Sequence, residues 1–90
     1  MTEEHYQVSF SEDADKQLKK LDKPVRRRIL IAIAKLEGNP RPDGVKKLKG
    51  TADEWRIRVG DWRVIYEIED GRLIVLVIEI GHRSKVYKDN

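Results

Sequence analysis

Trp55-Arg56-Ile57-Arg58-Val59-Gly60-Asp61-Trp62-Arg63-Val64-Ile65-Tyr66, continued by the run from Glu67 to Ile80, decides how this chain folds. Trp55–Val59 alternates apolar and polar residues, the period of a half-buried strand. Gly60-Asp61 is a two-residue loop with glycine first, the order a type II′ turn requires, so Trp62–Glu69 returns as a second strand. Asp70-Gly71 carries the type I′ hairpin signal. Arg72–Ile80 is apolar at most positions and predicts a third strand, internal and covered on both faces.

The first loop fixes a register. Val59 pairs with Trp62, Arg58 with Arg63, Ile57 with Val64 and Arg56 with Ile65. Side chains alternate between faces, so Trp55, Ile57, Val59, Trp62, Val64, Tyr66 and Ile68 share one face, the floor for whatever packs there. Arg56, Arg58 and Arg63 share the other. Like charges directly opposite on a sheet destabilise it, by roughly 0.2–1 kcal/mol per pair. Arg58 against Arg63 makes sense if an anion sits between them, because the guanidinium fork matches phosphate oxygens. The plainer readings are that the two side chains splay apart or that Glu67 or an acidic loop residue neutralises them.

Upstream, Tyr6, Val8 and Phe10 alternate as a short first strand. Ser11 can cap a helix that carries Glu12 and Asp13 in its first turn and Ala14, Leu18 and Leu21 on one stripe. Pro24 suits the start of a second helix, whose stripe is Val25, Ile29, Ile33 and Leu36. Gly38-Asn39-Pro40 ends it. Arg41–Asp53 reads as irregular, with Pro42, Gly44 and Gly50 as breakers. The expected fold is α+β: an N-terminal strand and an antiparallel two-helix hairpin packed on a mainly antiparallel sheet (β-α-α-β-β-β), then a short polar C-terminal tail.

Composition narrows the function. Ninety residues make one small domain. With no cysteine, disulfides, thiolate nucleophiles and cysteine-based zinc sites are excluded, and two histidines are too few for an all-histidine site. Asp53, Glu54 and Asp61 lie in turn-like positions and predict no metal site. The apolar runs fall far short of the ~20 residues of a membrane span. Met1-Thr2-Glu3-Glu4 lacks the basic and apolar regions of a signal peptide, so a cytoplasmic protein with no membrane partner is expected. The net charge is only +3, but residues 23–63 carry twelve basic and five acidic side chains, a local +7. Such a field attracts polyanions. The tail Gly81-His82-Arg83-Ser84-Lys85-Val86-Tyr87 leaves the third strand near the Gly60-Asp61 tip. Gly81 permits a sharp turn that would bring His82, Arg83 and Tyr87 to the arginine face. Arginines for phosphate, an aromatic ring for stacking and titratable groups together suit RNA.

These elements resemble the RelE/ParE superfamily of toxin–antitoxin toxins, on the RelE side. The resemblance runs from Tyr6 to Tyr87 as a single domain over residues 1–90. It rests on Lys47-Leu48-Lys49-Gly50, Trp55-Arg56-Ile57-Arg58-Val59, Trp62-Arg63-Val64-Ile65-Tyr66 and the Gly-His-Arg-x-x-x-Tyr tail. It implies a ribosome-dependent, metal- and cofactor-independent endoribonuclease that cleaves mRNA in the ribosomal A site. There the ribose 2′-hydroxyl attacks the adjacent phosphate, leaving a 2′,3′-cyclic phosphate and a 5′-hydroxyl. It also implies a RelB-like antitoxin partner, with operator DNA met only through the antitoxin complex. The antitoxin would dock along Ile65, Ile74 and Leu76.

By position, the resemblance makes Arg63 the phosphate clamp, Arg83 the stabiliser or proton donor of the leaving 5′-oxygen, and Tyr87 a stacking or activating group. Lys46, Lys47, Lys49, Arg56 and Lys85 would contact RNA. Where the family carries lysines, one a candidate base, this chain has Arg56 and Arg58, and arginine is a very poor base. Tyr87 and His82 remain as candidates, or arginine electrostatics carries the rate without a strong base. Two other functions stay open: a ParE-like gyrase inhibitor that is no enzyme, and a catalytically weak relative acting through antitoxin binding and autoregulation. Arg26-Arg27-Arg28 reads as a solvated helix surface or a ribosomal RNA contact.

Overall fold

Ser11 joins the first strand to the first helix. The computed structural model describes residues 5–48 and 54–86. Strand β1 (Gln7–Phe10) ends at Ser11, whose Oγ accepts the Ala14 N–H at 3.0 Å and donates to the Ile78 carbonyl at 2.8 Å. Helix α1 (Glu12–Lys19) opens with Glu12, Asp13 and Asp15 at the positive end of its dipole. It stops two residues before Leu21, where the expected stripe ended. Helix α2 (Lys23–Lys35) has Pro24 in its first turn and returns antiparallel. Ala14, Leu18, Ile29, Ile33 and Leu36 are buried, as the two stripes require.

The sheet has five strands in the order β1-β5-β4-β3-β2. They are β2 (Lys46–Lys47), β3 (Glu54–Val59), β4 (Trp62–Glu69) and β5 (Ile74–His82), besides β1. Only β1, on β5, is parallel. The expected β3–β4 register holds, with Arg58 facing Arg63 and Val59 facing Trp62. Gly60 has φ +63 while Asp61 has no positive φ, the pattern of a type II′ turn. Both helices pack on the face formed by Ile57, Val64, Tyr66, Ile68, Val75, Val77 and Ile80.

Five local expectations change. Residues 41–48 are not wholly irregular: β2 pairs Lys46 with Arg56 and Lys47 with Trp55. Asp70-Gly71 is not a two-residue loop. Residues 70–73 form a helical-type turn in which Arg72 N–H donates to Glu69 O at 3.2 Å and Leu73 N–H to Asp70 O at 3.3 Å. Its left-handed residue is Leu73 (φ 52), whose side chain packs on the core, and the Asp70 carboxylate is taken by distant partners. Third, β5 carries a bulge: Ile65 faces Glu79 and Tyr66 faces Val77, so Ile78 is unopposed. Helix α1 and its N-cap bond to this stretch, since Ser11 donates to Ile78 O and Gln17 Oε1 of α1 accepts Ile80 N–H at 2.7 Å. Fourth, β5 is internal but covered on one face only, because Ile74, Leu76 and Ile78 on the other are half exposed. Fifth, Gly81 makes no sharp turn; it lies within β5 opposite Arg63.

Candidate functional site

The helix-free face of the sheet is ordered in rows by the strand register. The row nearest the β3–β4 turn is Arg58, Arg63 and Gly81. Arg63 thus has a guanidinium neighbour on one side and a residue without a side chain on the other. Arg58 is exposed, and its Nε donates to Gly60 O at 3.1 Å. After His82 the chain enters the short helix α3 (Arg83–Val86). Its first residue is fixed to the same turn: Arg83 N–H donates to Asp61 O at 2.8 Å, and Arg83 Nε lies 4.0 Å from Asp61 Oδ1. The backbone therefore places Arg58, Arg63 and Arg83 at one end of the sheet, without the sharp turn at Gly81 that the sequence reading used to bring Arg83 there.

The next row is Lys46, Arg56, Ile65 and Glu79, and the one after it Glu54, Glu67 and Leu76. The face changes from cationic at the turn, through apolar Ile65 and Leu76, to acidic at its far end. Glu67, one of the acidic residues that the plainer reading offered to neutralise Arg58 and Arg63, lies two rows away and faces Glu54. The strong cationic field is confined to the turn end, where a polyanion would be steered.

Two expected members lie elsewhere. Lys47 points to the helix-bearing side, where its Nζ lies 5.7 Å from the Trp55 ring centroid; only Lys46 joins Arg56. His82 pairs with Trp62, and their rings meet edge to face at 5.4 Å. His82 Nδ1 lies 3.0 Å from Ser84 Oγ and accepts Ser84 N–H at 3.3 Å, so the imidazole caps α3 on the side of the sheet away from Arg63. Lys49, Tyr87 and the side chain of Lys85 lie outside what the structure describes. Among the described residues, no three His, Asp or Glu side chains cluster as a metal site.

The sequence reading missed a clamp that holds β2 beside β3. Asp70 accepts the Tyr6 hydroxyl at 2.6 Å and both Arg41 terminal nitrogens at 3.2 and 2.9 Å. Arg41 also lies over the Trp55 ring at 5.0 Å. The Arg41 hydrogen bonds, then that of Tyr6, hold the Asp70 carboxyl down to about 2. A carboxylate depressed in the fold stabilises it above the ordinary carboxylate range and loses that effect as pH falls from about 4 through about 2. Asp70→Asn is therefore expected to lower the melting temperature at pH 7 and to converge with the unaltered chain at pH 2. A pH-independent difference in thermal melts would contradict the clamp.

A two-helix hairpin packs on one face of this sheet, and the other face carries a cationic end. Residues 8–87 match the family described as ParE toxin of type II toxin-antitoxin system, parDE, and the chain belongs to it. Within that family it is a RelE-type toxin of a toxin–antitoxin system. It is 31% identical over 88 residues to the mRNA interferase toxin RelE of Escherichia coli strain K12, covering 93% of this chain and 92% of that one. Its fold matches RelE in the archaeal RelE–RelB complex of Pyrococcus horikoshii (TM-score 0.79, 32% identity, 91% and 99% of the two chains). It also matches the intact E. coli RelBE toxin–antitoxin complex (TM-score 0.77, 29% identity, 86% and 95%). No helix among the described residues is long and apolar enough to cross a membrane.

Proposed function

We propose that this chain is a ribosome-dependent endoribonuclease that stops translation by cutting mRNA in the ribosomal A site. The observation that carries the reading is the end of the sheet: Arg58 faces Arg63, Gly81 leaves the other side of Arg63 without a side chain, and Arg83 is tied to the same turn. The ribose 2′-oxygen attacks phosphorus as its proton passes to the base, the bond to the 5′-oxygen breaks and that oxygen takes up a proton from solvent, and the products are a 2′,3′-cyclic phosphate and a 5′-hydroxyl. Arg63 and Arg58 hold the non-bridging oxygens as charge builds on them. Arg83 stabilises the departing 5′-oxygen. Among the described residues the open face has no wall to orient a flexible strand, a task the ribosome would supply. Guanidiniums neutralise the phosphate, so the proposed step uses no metal.

Chemistry and the position of His82 narrow the candidates for the base. Arg56 and Arg58 are too basic to accept a proton at neutral pH. His82 caps α3 on the helix side. Tyr87, on the tail beyond α3, is the better candidate to activate or stack on the substrate. His82→Gln is expected to slow cleavage less than Tyr87→Ala; pH–rate profiles of both variants would expose the reverse order.

The relatives crystallised with RelB support a RelB-like antitoxin for this chain. Its segment would cover Ile65, Ile74 and Leu76 and set acidic side chains over the arginines. Operator DNA would be reached only through that complex. Purified toxin, a defined mRNA and a translation system test the function. Cleavage at the A-site codon only when ribosomes are present supports it. Cleavage of free mRNA would remove the ribosome from the mechanism, and DNA breaks with gyrase in place of RNA cleavage would overturn the reading.

A further inference from the structure

We propose that the Gly60-Asp61 turn is a second phosphate-binding position, one step along the substrate RNA from Arg63, and that Arg28 of α2 is one of its ligands. This rests on the reading of the sheet end as an RNA site.

The three arginines of α2 do different things. Arg26 folds back, its Nη2 donating to Leu21 O at 3.2 Å across the joint between the helices. Arg27 is exposed. Arg28 reaches from the helix layer to the β3–β4 turn: a Cβ built on Gly60 would stand 2.9 Å from Arg28 Nη2 and 3.8 Å from its Cζ. Gly60 is required for its φ of +63, and its missing side chain also leaves the space beside the turn into which this flexible guanidinium reaches.

Three elements bring guanidiniums to one two-residue turn. Arg28 arrives from α2, Arg58 from β3 through its bond to Gly60 O, and Arg83 from the start of α3 through Asp61. Arg28 makes no hydrogen bond or ion pair among the described residues, and Asp61 is 4.0 Å from Arg83 Nε, a long and exposed contact. Packing three cations around one weakly engaged carboxylate costs stability and leaves most of their N–H groups without a hydrogen bond among the described residues. A phosphodiester takes up such donors in pairs. The geometry also gives Asp61 a sign: it competes with RNA for Arg83, so neutralising it strengthens binding.

The test uses the full chain and a fluorescent single-stranded RNA of about eight nucleotides, 2′-O-methylated throughout so that it is not cut, read by anisotropy over a salt series. Arg28→Gln is expected to weaken binding about five- to tenfold at low salt and to flatten the log affinity–log salt slope by ~0.7, the effect of one lost phosphate contact on a single strand. Arg27→Gln, the same charge change one residue away, is expected to stay within about twofold, and Arg28→Lys to fall between, as a point charge replaces the fork. Asp61→Asn is expected to tighten binding about two- to threefold by removing a competitor for Arg83. Equal losses at Arg27 and Arg28, or weaker binding by Asp61→Asn, would overturn the turn site. Loss with Arg63→Ala but not with Arg28→Gln would leave the sheet-face reading standing and refute this one. Loss with Arg28→Gln but not Arg63→Ala would do the opposite. No measurable binding by the unaltered chain would also refute the turn site, while ribosome-programmed cleavage retains its own assay.

Discussion

Arg63→Ala is expected to reduce A-site cleavage by about 10²–10³-fold, the size of effect found when one preorganised donor to a developing oxyanion is removed. Arg83→Ala should fall in the same range. The reason lies in the row they occupy. Arg63 is flanked by Arg58 and Gly81, so no other side chain of its row can take its place on the phosphate from the Gly81 side. Arg83 is placed by a backbone bond to Asp61, which alanine keeps, so the variant removes the guanidinium without releasing the chain. The fold should survive both changes, because the core beneath is Ile57, Val64 and Ile80, all buried and untouched. Circular dichroism and thermal melts check that point. The double variant should lose much less than the product of the single losses, because the two act on one transition state. Near-full cleavage by either folded single variant would remove the arginines from the chemistry.

Tyr66→Ala is expected to leave little folded protein. Tyr66 is fully buried at the centre of the sheet, and its hydroxyl donates to Pro40 O at 2.7 Å. Truncating a buried aromatic costs about 3–5 kcal/mol, against a total stability of about 5–10 kcal/mol for a domain of this size. Burial also pushes the Tyr66 phenol up, which favours the neutral form that donates this bond. Tyr66→Phe separates the two contributions. It keeps the ring and leaves the Pro40 carbonyl unpaired, which costs about 1–3 kcal/mol. That loss falls on the segment leading into β2, so hydrogen exchange should accelerate at Lys46 and Lys47 more than in β4. A uniform increase across the sheet would mean that the hydroxyl does not hold that segment.

The reach of the sequence can be judged residue by residue. Gly60-Asp61 was legible because a type II′ turn requires glycine at its first position, and that rule is local. From it came the pairing of Arg58 with Arg63 and the two faces of the hairpin. Asp70-Gly71 looked equally local, yet Asp70 is engaged by Tyr6, distant in sequence, and by Arg41. The longer turn and the bulge at Ile78 then act together. A two-residue loop would set Arg63 opposite Ile78; the structure sets it opposite Gly81. An odd shift exchanges the faces of a strand, and His82, which the sequence reading brought to the arginine side through a turn at Gly81, lies instead with Trp62. The apolar run Ile74–Ile78 hid this, since a strand apolar on both sides carries no parity. Strand β2 escaped because two residues have no period. Arg28 escaped because its partner is a glycine, which offers no charge or pattern to match.

The parallel pairing of β1 with β5 has a consequence for how the toxin is made. Gln7 lies against Ile74 and Phe10 against Val77, so the first strand of the chain has no neighbour until nearly the last has been synthesised. Val75, Val77 and Ile80 of that late strand also form the floor on which α1 rests. A nascent chain that has not yet exposed β5 has neither a closed core nor Arg83 against the Gly60-Asp61 turn. A chain truncated before Ile74 therefore cannot close this core, and it is expected to be degraded rather than to accumulate as folded protein.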